Sequence, residues 1–446
     1  MADPGGPESL RPARAVVLLT GATGFVGKVV LSELLRRREA LGVERVLALV
    51  RAGDPERADA RLRVDVLASP GFAHEPPGWE KHVEALAGDL TRPALGLAAE
   101  TRERVRAEVT HVIHCAASVE FSLPLVEATV VNTLGALHAL DLARSCPRLA
   151  SFVGVSTAYV APHPAAWSGR ILRAEERLAA LPHDPEPLLA AILAGRIAEA
   201  RLLRETGHPN SYTLTKSLAE HLVARRADGL PITLVRPSIV SASRGRPLPG
   251  WVDSAAAFAA FVVGIGTGRL RVVAGNLGAR LDVVPCDEVA DRIVGAAFAP
   301  APGALCIRHA VAGLAGSPSI ALCRERIVHH FAKRDGGAPR LAYVGPRGPR
   351  FHAEHVLRHE LAGRASALAL RLRGDSRRAL GARRLLERQR DMNRDFAYFT
   401  HATFDFETSL PLVPPLEPAA YLDLVCEGVE RHLLQRDGRR AAKSRA

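Results

Sequence analysis

Lysine is scarce. Only five of the 59 basic residues are lysine (Lys28, Lys81, Lys216, Lys333 and Lys443), so arginine supplies nearly all of a formal net charge of +12. Such a surface attracts anionic partners through its long-range field, among them CoA phosphates, acidic carrier proteins and anionic lipids. No nucleic-acid recognition motif accompanies the charge, and no nucleic acid is expected as a partner. None of the six cysteines forms a CxxC pair. That excludes a disulfide framework or a zinc ribbon and points to a reducing, cytoplasmic setting. Long apolar runs are missing too. The longest, Ala255 to Ile265, falls short of the ~18 residues a membrane-spanning helix needs. Residues 1–14 lack the apolar segment of a secretory signal. No internal repeat is present. A soluble protein, or one peripheral to a membrane, is expected. With 48% hydrophobic residues the chain can bury a sizeable core.

Apolar runs alternate with helical patterns. Ala15-Val16-Val17-Leu18-Leu19 is followed by candidate strands at Val46 to Val50, Val83 to Ala87, Val109 to Ile113, Phe152 to Val155 and Ile232 to Val235. Helical periodicity lies between most of them, as at Val26 to Arg38 and Val130 to Arg144. Continuous apolar runs suit strands buried on both faces, and the alternation predicts an α/β fold with a doubly wound parallel Rossmann sheet. Residues 160–210 and 241–280 break the rhythm and read as insertions over a substrate site. From 311 to 435 the pattern is mostly helical, with an aromatic segment at Phe396 to Phe406 and an amphipathic helix at Pro418 to Leu434. The expected organisation is a tail at 1–14, a Rossmann domain at 15–310, a smaller helical C-terminal domain at 311–435 and a basic tail at 436–446.

Gly21-Ala22-Thr23-Gly24-Phe25-Val26-Gly27 fits GxxGxxG directly after the first strand and at the opening of a helix. The glycines allow a tight turn, close approach of backbone to a pyrophosphate and close helix–sheet packing, and the helix N-terminus favours the phosphate charge. The second strand ends at Arg51, 24 residues after Gly27. An arginine there accommodates the 2′-phosphate of NADPH, where an acidic residue would bind the ribose of NAD. Gly88-Asp89-Leu90 and His114-Cys115-Ala116-Ala117 follow the third and fourth strands, at the carboxyl ends where ligands of such sheets sit. Tyr212 and Lys216 are spaced i, i+4, on one helical face. An adjacent ammonium would lower the phenol's pKa from about 10 towards neutrality and make Tyr212 a usable general acid. Ser156-Thr157 ends an upstream strand and would flank a reacting carbonyl. His352, His355 and His359 share a helical spacing, but without further evident ligands no metal is expected.

Together the glycine loop, Ser156-Thr157, Tyr212 and Lys216 resemble the extended short-chain dehydrogenase/reductase superfamily. Leu18 to Lys28, Val155 to Val160, Arg236 to Val240, Pro249 to Asp253 and Leu281 to Asp287 are similar to alcohol-forming fatty acyl-CoA reductases, with their male-sterility-type NAD(P)-binding domain. Phe404-Asp405-Phe406 and Tyr421 to Leu434 resemble that family's C-terminal domain, although Leu416-Glu417-Pro418 stands where an Asp-Trp is usual. The resemblance implies that Thr157, with Ser156 beside it, orients the carbonyl. Tyr212 donates the proton, Lys216 also holds the nicotinamide ribose, and Asn132 supports the relay. Cofactor contacts are expected from Thr20, Gly21, Thr23, Gly24, Phe25, Val26 and Gly27. Arg51, Asp89, Leu90, Ala116, Pro237 and Ile239 complete that set. The implied reaction is NADPH-dependent reduction of a long-chain acyl-CoA, through aldehyde, to a primary alcohol. An acyl carrier protein is an alternative donor and a peripheral membrane contact is a further expected partner. The competing readings are an aldehyde-forming thioester reductase and another extended short-chain dehydrogenase or epimerase.

Overall fold

The computed structural model describes residues 14–162, 170–300, 305–332 and 341–435. The expected tails at 1–14 (all but Arg14) and 436–446 lie outside them. Seven parallel strands form the central sheet: β1 (Ala15–Thr20), β2 (Val43–Arg51), β3 (Val83–Gly88), β4 (His111–His114), β5 (Ser151–Val155), β6 (Ile232–Pro237) and β7 (Leu305–Ala310). Their spatial order is β7-β6-β5-β4-β1-β2-β3, every neighbouring pair parallel. Strand order therefore reverses between β1 and β4, the switch point where α/β sheets open a crevice. All six residues of β1 are buried, as its unbroken apolar run requires for a strand covered on both faces.

Helices cover both faces. On one side α1 (Phe25–Arg36) packs with a later helix, Cys286–Phe298, through Val30, Leu34, Ile293 and Val294. The other side takes α2 (Ala99–Glu108), α3 (Gly135–Arg144) and α4 (Ser211–Arg225), whose Val105, Leu140, Leu214, Leu218 and Leu222 sit in a second core. Removing each such side chain from water is worth about 1.5–3 kcal/mol.

A third core joins the two expected insertions to the C-terminal portion. Phe258, Phe261, Val262 and Ile265 of α5 (Ala257–Gly266) pack with α6 (Ile320–Ala332) and with Pro418–Val429. Two small parallel pairs stitch the same elements together. Ile171–Ala174 pairs with Thr403–Phe406, and Val272–Ala274 with Tyr343–Gly345. Two carboxylates fasten this body to the sheet. Buried Asp282 accepts from Ser238 Oγ and from the backbone N–H groups of Ala312 and Gly313. Asp287 accepts three successive N–H groups, those of Arg244, Gly245 and Arg246. The Leu281–Asp287 motif is thus structural.

Candidate active site

The site lies over the β1/β4 switch point. Gly21 has φ +78°, open to glycine at little cost, and a Cβ there would meet Ala116 N at 2.7 Å. A Cβ on Gly27 would come within 2.0 Å of Gly21 O, so the turn and the first turn of α1 close only with glycine at both positions. No side chain caps α1, which leaves its first N–H groups for a ligand anion. Thr20 and Ala116 lie beneath this loop. The Thr20 hydroxyl accepts the Ala116 N–H at 3.2 Å and bonds His114 Nδ1 at 2.9 Å; both residues support the loop from below.

Helix α4 carries the Tyr-Lys pair. It starts where it does because Asn210 caps it, its side-chain oxygen accepting the Thr213 N–H at 2.9 Å. Its depth is set by a buried bidentate pair, Glu220 with Arg236 of β6, at 2.6 and 2.9 Å. Breaking such a pair costs about 3–5 kcal/mol. Asn132 holds the other side. Its amide donates to Ser118 O and Thr215 Oγ1 and accepts the Ser118 N–H at 2.8 Å. It sits in a π-turn, Val130–Leu134, directly before α3, a device frequent at functional sites.

Lys216 Nζ donates to Val155 O at 2.8 Å, and burial pushes its pKa down to about 8. Burial pushes the Tyr212 phenol up to about 12, while its hydrogen bond with Thr157 pulls the other way. The expected lowering of the phenol towards neutrality is therefore not present in the protein alone: removal from water outweighs the neighbouring hydroxyl, and the ammonium is engaged by a backbone carbonyl. Tyr212 is held protonated, as a proton donor must be. The Ser156 hydroxyl is buried with no partner among the described residues.

Tyr212, Lys216, Ser156 and Thr157 share a cleft of about 420 Å³ with Gly21, Gly24 and Gly27. Phe25, Val26, Pro237 and Ile239 line the same space. Arg51 and Asp89 face a second cleft of about 640 Å³ at the ends of β2 and β3. Burial raises the Asp89 pKa, but the Thr91 N–H and hydroxyl and the charges of Arg92 and Arg51 leave it below the usual carboxylate value. Leu90 is turned into the helix side, packed on Gly135, its carbonyl bonded to His138 Nδ1 at 2.9 Å. Thr23 is half-buried in the glycine loop. His359, one of the three spaced histidines, uses Nε2 to accept the Arg271 N–H at 3.0 Å.

Sequence reasoning missed the cleft's apolar wall. Phe121, Phe396 and Phe399 stand at it with Val252 and Ala257, the rings of Phe121 and Tyr212 5.7 Å apart and those of Phe121 and Phe396 5.3 Å. The aromatic segment at Phe396 to Phe406 was the available signal, but nothing local ties it to Tyr212 and Lys216, some 180 residues upstream.

A family profile described as male sterility protein, an NAD-binding family, matches residues 19–293. The chain belongs to the male sterility protein family. The glycine loop, the uncapped start of α1 and the buried unpartnered Ser156 hydroxyl all fit the nicotinamide dinucleotide that this family binds. The match takes in the end of β1, β2 to β6 and the switch point; β7 and the helices after it fall outside. Among curated proteins, the chain is 33% identical over 288 residues to Fatty acyl-CoA reductase 1 of Gallus gallus and 33% over 298 residues to Fatty acyl-CoA reductase wat of Drosophila melanogaster. Each alignment covers 63% of this chain and 54% of the relative, so the chain spans about half the length of the curated relatives it matches. In fold it is similar to the terminal R domain from the myxalamid PKS-NRPS biosynthetic pathway (TM-score 0.61, 20% identity, 95% of this chain and 92% of that one). The reductase domain of a non-ribosomal peptide synthetase from Mycobacterium tuberculosis is also similar (TM-score 0.58, 18% identity, 96% and 93%). Among the described residues no helix is long and apolar enough to cross a membrane.

Proposed function

We propose that this chain reduces a fatty acyl thioester, an acyl-CoA, through the aldehyde to a primary alcohol, with NADPH as reductant. The observation that carries the reading is one cleft in which a protonated Tyr212, close to Thr157, opens onto an aromatic and aliphatic wall. The polar pair suits a carbonyl oxygen and the wall suits an acyl chain. The names of the curated relatives support the same substrate class.

The dinucleotide, when bound, supplies the hydride. Gly21, Gly24 and the start of α1 hold its pyrophosphate, and Lys216 its nicotinamide ribose. Thr157 donates a hydrogen bond to the substrate oxygen, and Tyr212 gives it a proton. In the thioester round, collapse of the resulting hemithioacetal breaks the C–S bond; CoA leaves as the thiol and an aldehyde remains. That aldehyde presents the same carbonyl to the same hydroxyls, and a second round gives the alcohol. Proton delivery by a positioned acid is worth about 10²–10⁴-fold. Asn132 acts at one remove, fixing α4 through Thr215. Arg51, exposed beside Asp89 in the second cleft, supports NADPH over NADH, because its guanidinium can make charge-assisted bonds to a 2′-phosphate. The six free cysteines support a reducing, cytoplasmic setting.

Purified protein with NADPH and palmitoyl-CoA tests the reading. Two NADPH oxidised per CoA released, with alcohol as product and added long-chain aldehyde also consumed, is the expected result. One NADPH per CoA with accumulated aldehyde would assign an aldehyde-forming reductase, and no thiol release would remove the thioester reading. Arg51→Ala should raise the KM for NADPH by about tenfold or more with little effect on NADH; an unchanged ratio would clear Arg51 of that role.

A further inference from the structure

The helix pair at residues 349–395 is folded with its leucines outward. One helix runs unbroken from Pro349 through a π-turn at Val356–Leu361 to Leu372, its last part being α7 (Ala362–Leu372). Gly374 reverses the chain, and Asp375 caps α8 (Ser376–Asp395) by accepting the Arg378 N–H at 3.0 Å. The inner face is fastened by polar groups. Asn393 accepts the Ala274 N–H at 2.7 Å and donates to Val272 O at 2.9 Å, His359 accepts from Arg271 N, and Gln389 donates to Arg269 O. The outer face carries Leu357, Leu361, Leu368 and Leu372, 59, 53, 59 and 80% exposed. Their spacing of four, seven and four residues puts them on one side of the helix, along roughly 22 Å at 1.5 Å per residue. Leu380 of α8 is half exposed as well.

The charge around this stripe is of one sign. Residues 356–395 hold eleven arginines against five acidic residues. Arg371, Arg373, Arg377, Arg383, Arg384 and Arg388 are exposed, and among the described residues none of them has an ion-pair partner.

We propose that this helix pair docks the protein on an anionic phospholipid surface, with the leucine stripe among the acyl chains and the unpaired arginines on the headgroups. Two arguments select lipid over a protein partner. Aliphatic residues bordered by arginine are the composition of a helix lying in a membrane interface. Protein interfaces instead concentrate their energy in Trp and Tyr beside Arg, and residues 352–395 contain no aromatic ring of Phe, Tyr or Trp. The docking has a consequence for the cleft. Helix α8 ends at Asp395, and the next residue, Phe396, lines the apolar wall, so the docked element leads directly to the place where an acyl chain would enter. The docking itself does not depend on the acyl-thioester reading.

Co-sedimentation of the full chain with vesicles tests this. Binding to phosphatidylcholine mixed with phosphatidylglycerol, little binding to phosphatidylcholine alone, and weakening with salt are expected. The double variant Leu368→Ser, Leu372→Ser should lose about tenfold or more in partitioning. The double variant Arg377→Gln, Arg384→Gln should lose about fivefold per arginine removed. These side chains are exposed, so both variants should keep the wild-type unfolding midpoint, which separates lost docking from lost fold. Failure to sediment with anionic vesicles overturns the proposal, and so does binding indifferent to the leucine substitutions. A dimer that the leucine variants dissociate would give the face to a second copy of the chain. Capture of an acidic carrier protein without vesicle binding would give it to that partner. Either outcome overturns lipid docking.

Discussion

The wall of the cleft that bears Tyr212 and Lys216 and the wall that bears Phe396 and Phe399 are held by different forces. Directional polar contacts fix the first: Asn210 caps α4, Asn132 bridges Ser118 to Thr215, Glu220 grips Arg236, and Lys216 reaches Val155 O. Ring packing fixes the second. Phe396 meets Phe261 edge-on at 5.2 Å, and Phe399 meets Tyr159 at 4.7 Å. Hydrogen bonds hold an atom in place to a few tenths of an ångström, which proton transfer needs. Apolar packing is non-directional and tolerates shape change, which suits a surface that must take a flexible chain. Under the proposed function, chemistry would sit on the polar wall and selectivity on the apolar one.

The strongest way to break this division is at Tyr212. Tyr212→Phe keeps the ring beside Phe121 and removes only the hydroxyl. Turnover should fall by about 10²–10⁴-fold while NADPH affinity, measured by fluorescence titration, stays within a few-fold. Near-wild-type turnover in this variant would leave the proton donor to another group and undo the assignment of the polar wall.

The polar wall should also carry part of the protein's acid sensitivity. Burial holds His114, under the glycine loop, at a pKa of about 3, and burial likewise holds His208 at about 4. Nε2 of His208 lies 3.0 Å from Val160 O. The sign follows from proton counting. Between the ordinary value of about 6.5 and these lowered values, the unfolded chain binds protons that the folded chain does not, so stability falls as pH falls. Each histidine contributes at most about 1.4 kcal/mol per pH unit in that window. Urea unfolding from pH 7 to pH 4.5 measures it, and His114→Asn, which retains a partner for Thr20, should flatten the slope by about one histidine's share. A slope unchanged in that variant would mean that His114 takes up its proton without unfolding.

How much of this was legible in the sequence divides along the same line. Local polar patterns were readable: GxxGxxG after β1, the i, i+4 Tyr212 and Lys216, and Ser156-Thr157 at the end of β5 each lie within a few residues, and the fold brings them to one cleft. Six of the seven strands were visible as apolar runs. The seventh, Leu305–Ala310, was not, because its sequence LCIRHA mixes Arg308 and His309 into the run; inside the fold the His309 backbone N–H donates to Glu176 and the ring Nδ1 pairs with the Glu407 carbonyl. The phenol's pKa was misjudged for a related reason. Spacing reveals a neighbouring lysine, whereas the burial that dominates both groups is a property of the assembled cleft. The aromatic wall was illegible because Phe121, Phe396 and Phe399 come from two segments about 275 residues apart, and a lone phenylalanine has no periodicity to betray its partners.

The apolar wall yields the smallest and most selective expected effect. Phe396 is half-buried, packed against Phe121 and Phe261, and one residue beyond the end of α8. Phe396→Ala removes ring surface from the acyl side of the cleft and touches none of the hydrogen bonds that set Tyr212. A side chain of this size is worth about 1.5–3 kcal/mol when fully covered, and a half-buried one at the cleft margin a good deal less. The KM for palmitoyl-CoA should therefore rise by about threefold, while kcat stays nearly unchanged. The discriminating measurement is chain length. With butyryl-CoA, whose short tail offers little surface to this wall, wild type and variant should have nearly the same kcat/KM. An equal loss on both substrates would mean that Phe396 supports the geometry of Tyr212 through Phe121. The two walls would then not be separable, and the division between chemistry and selectivity would fail at its apolar side.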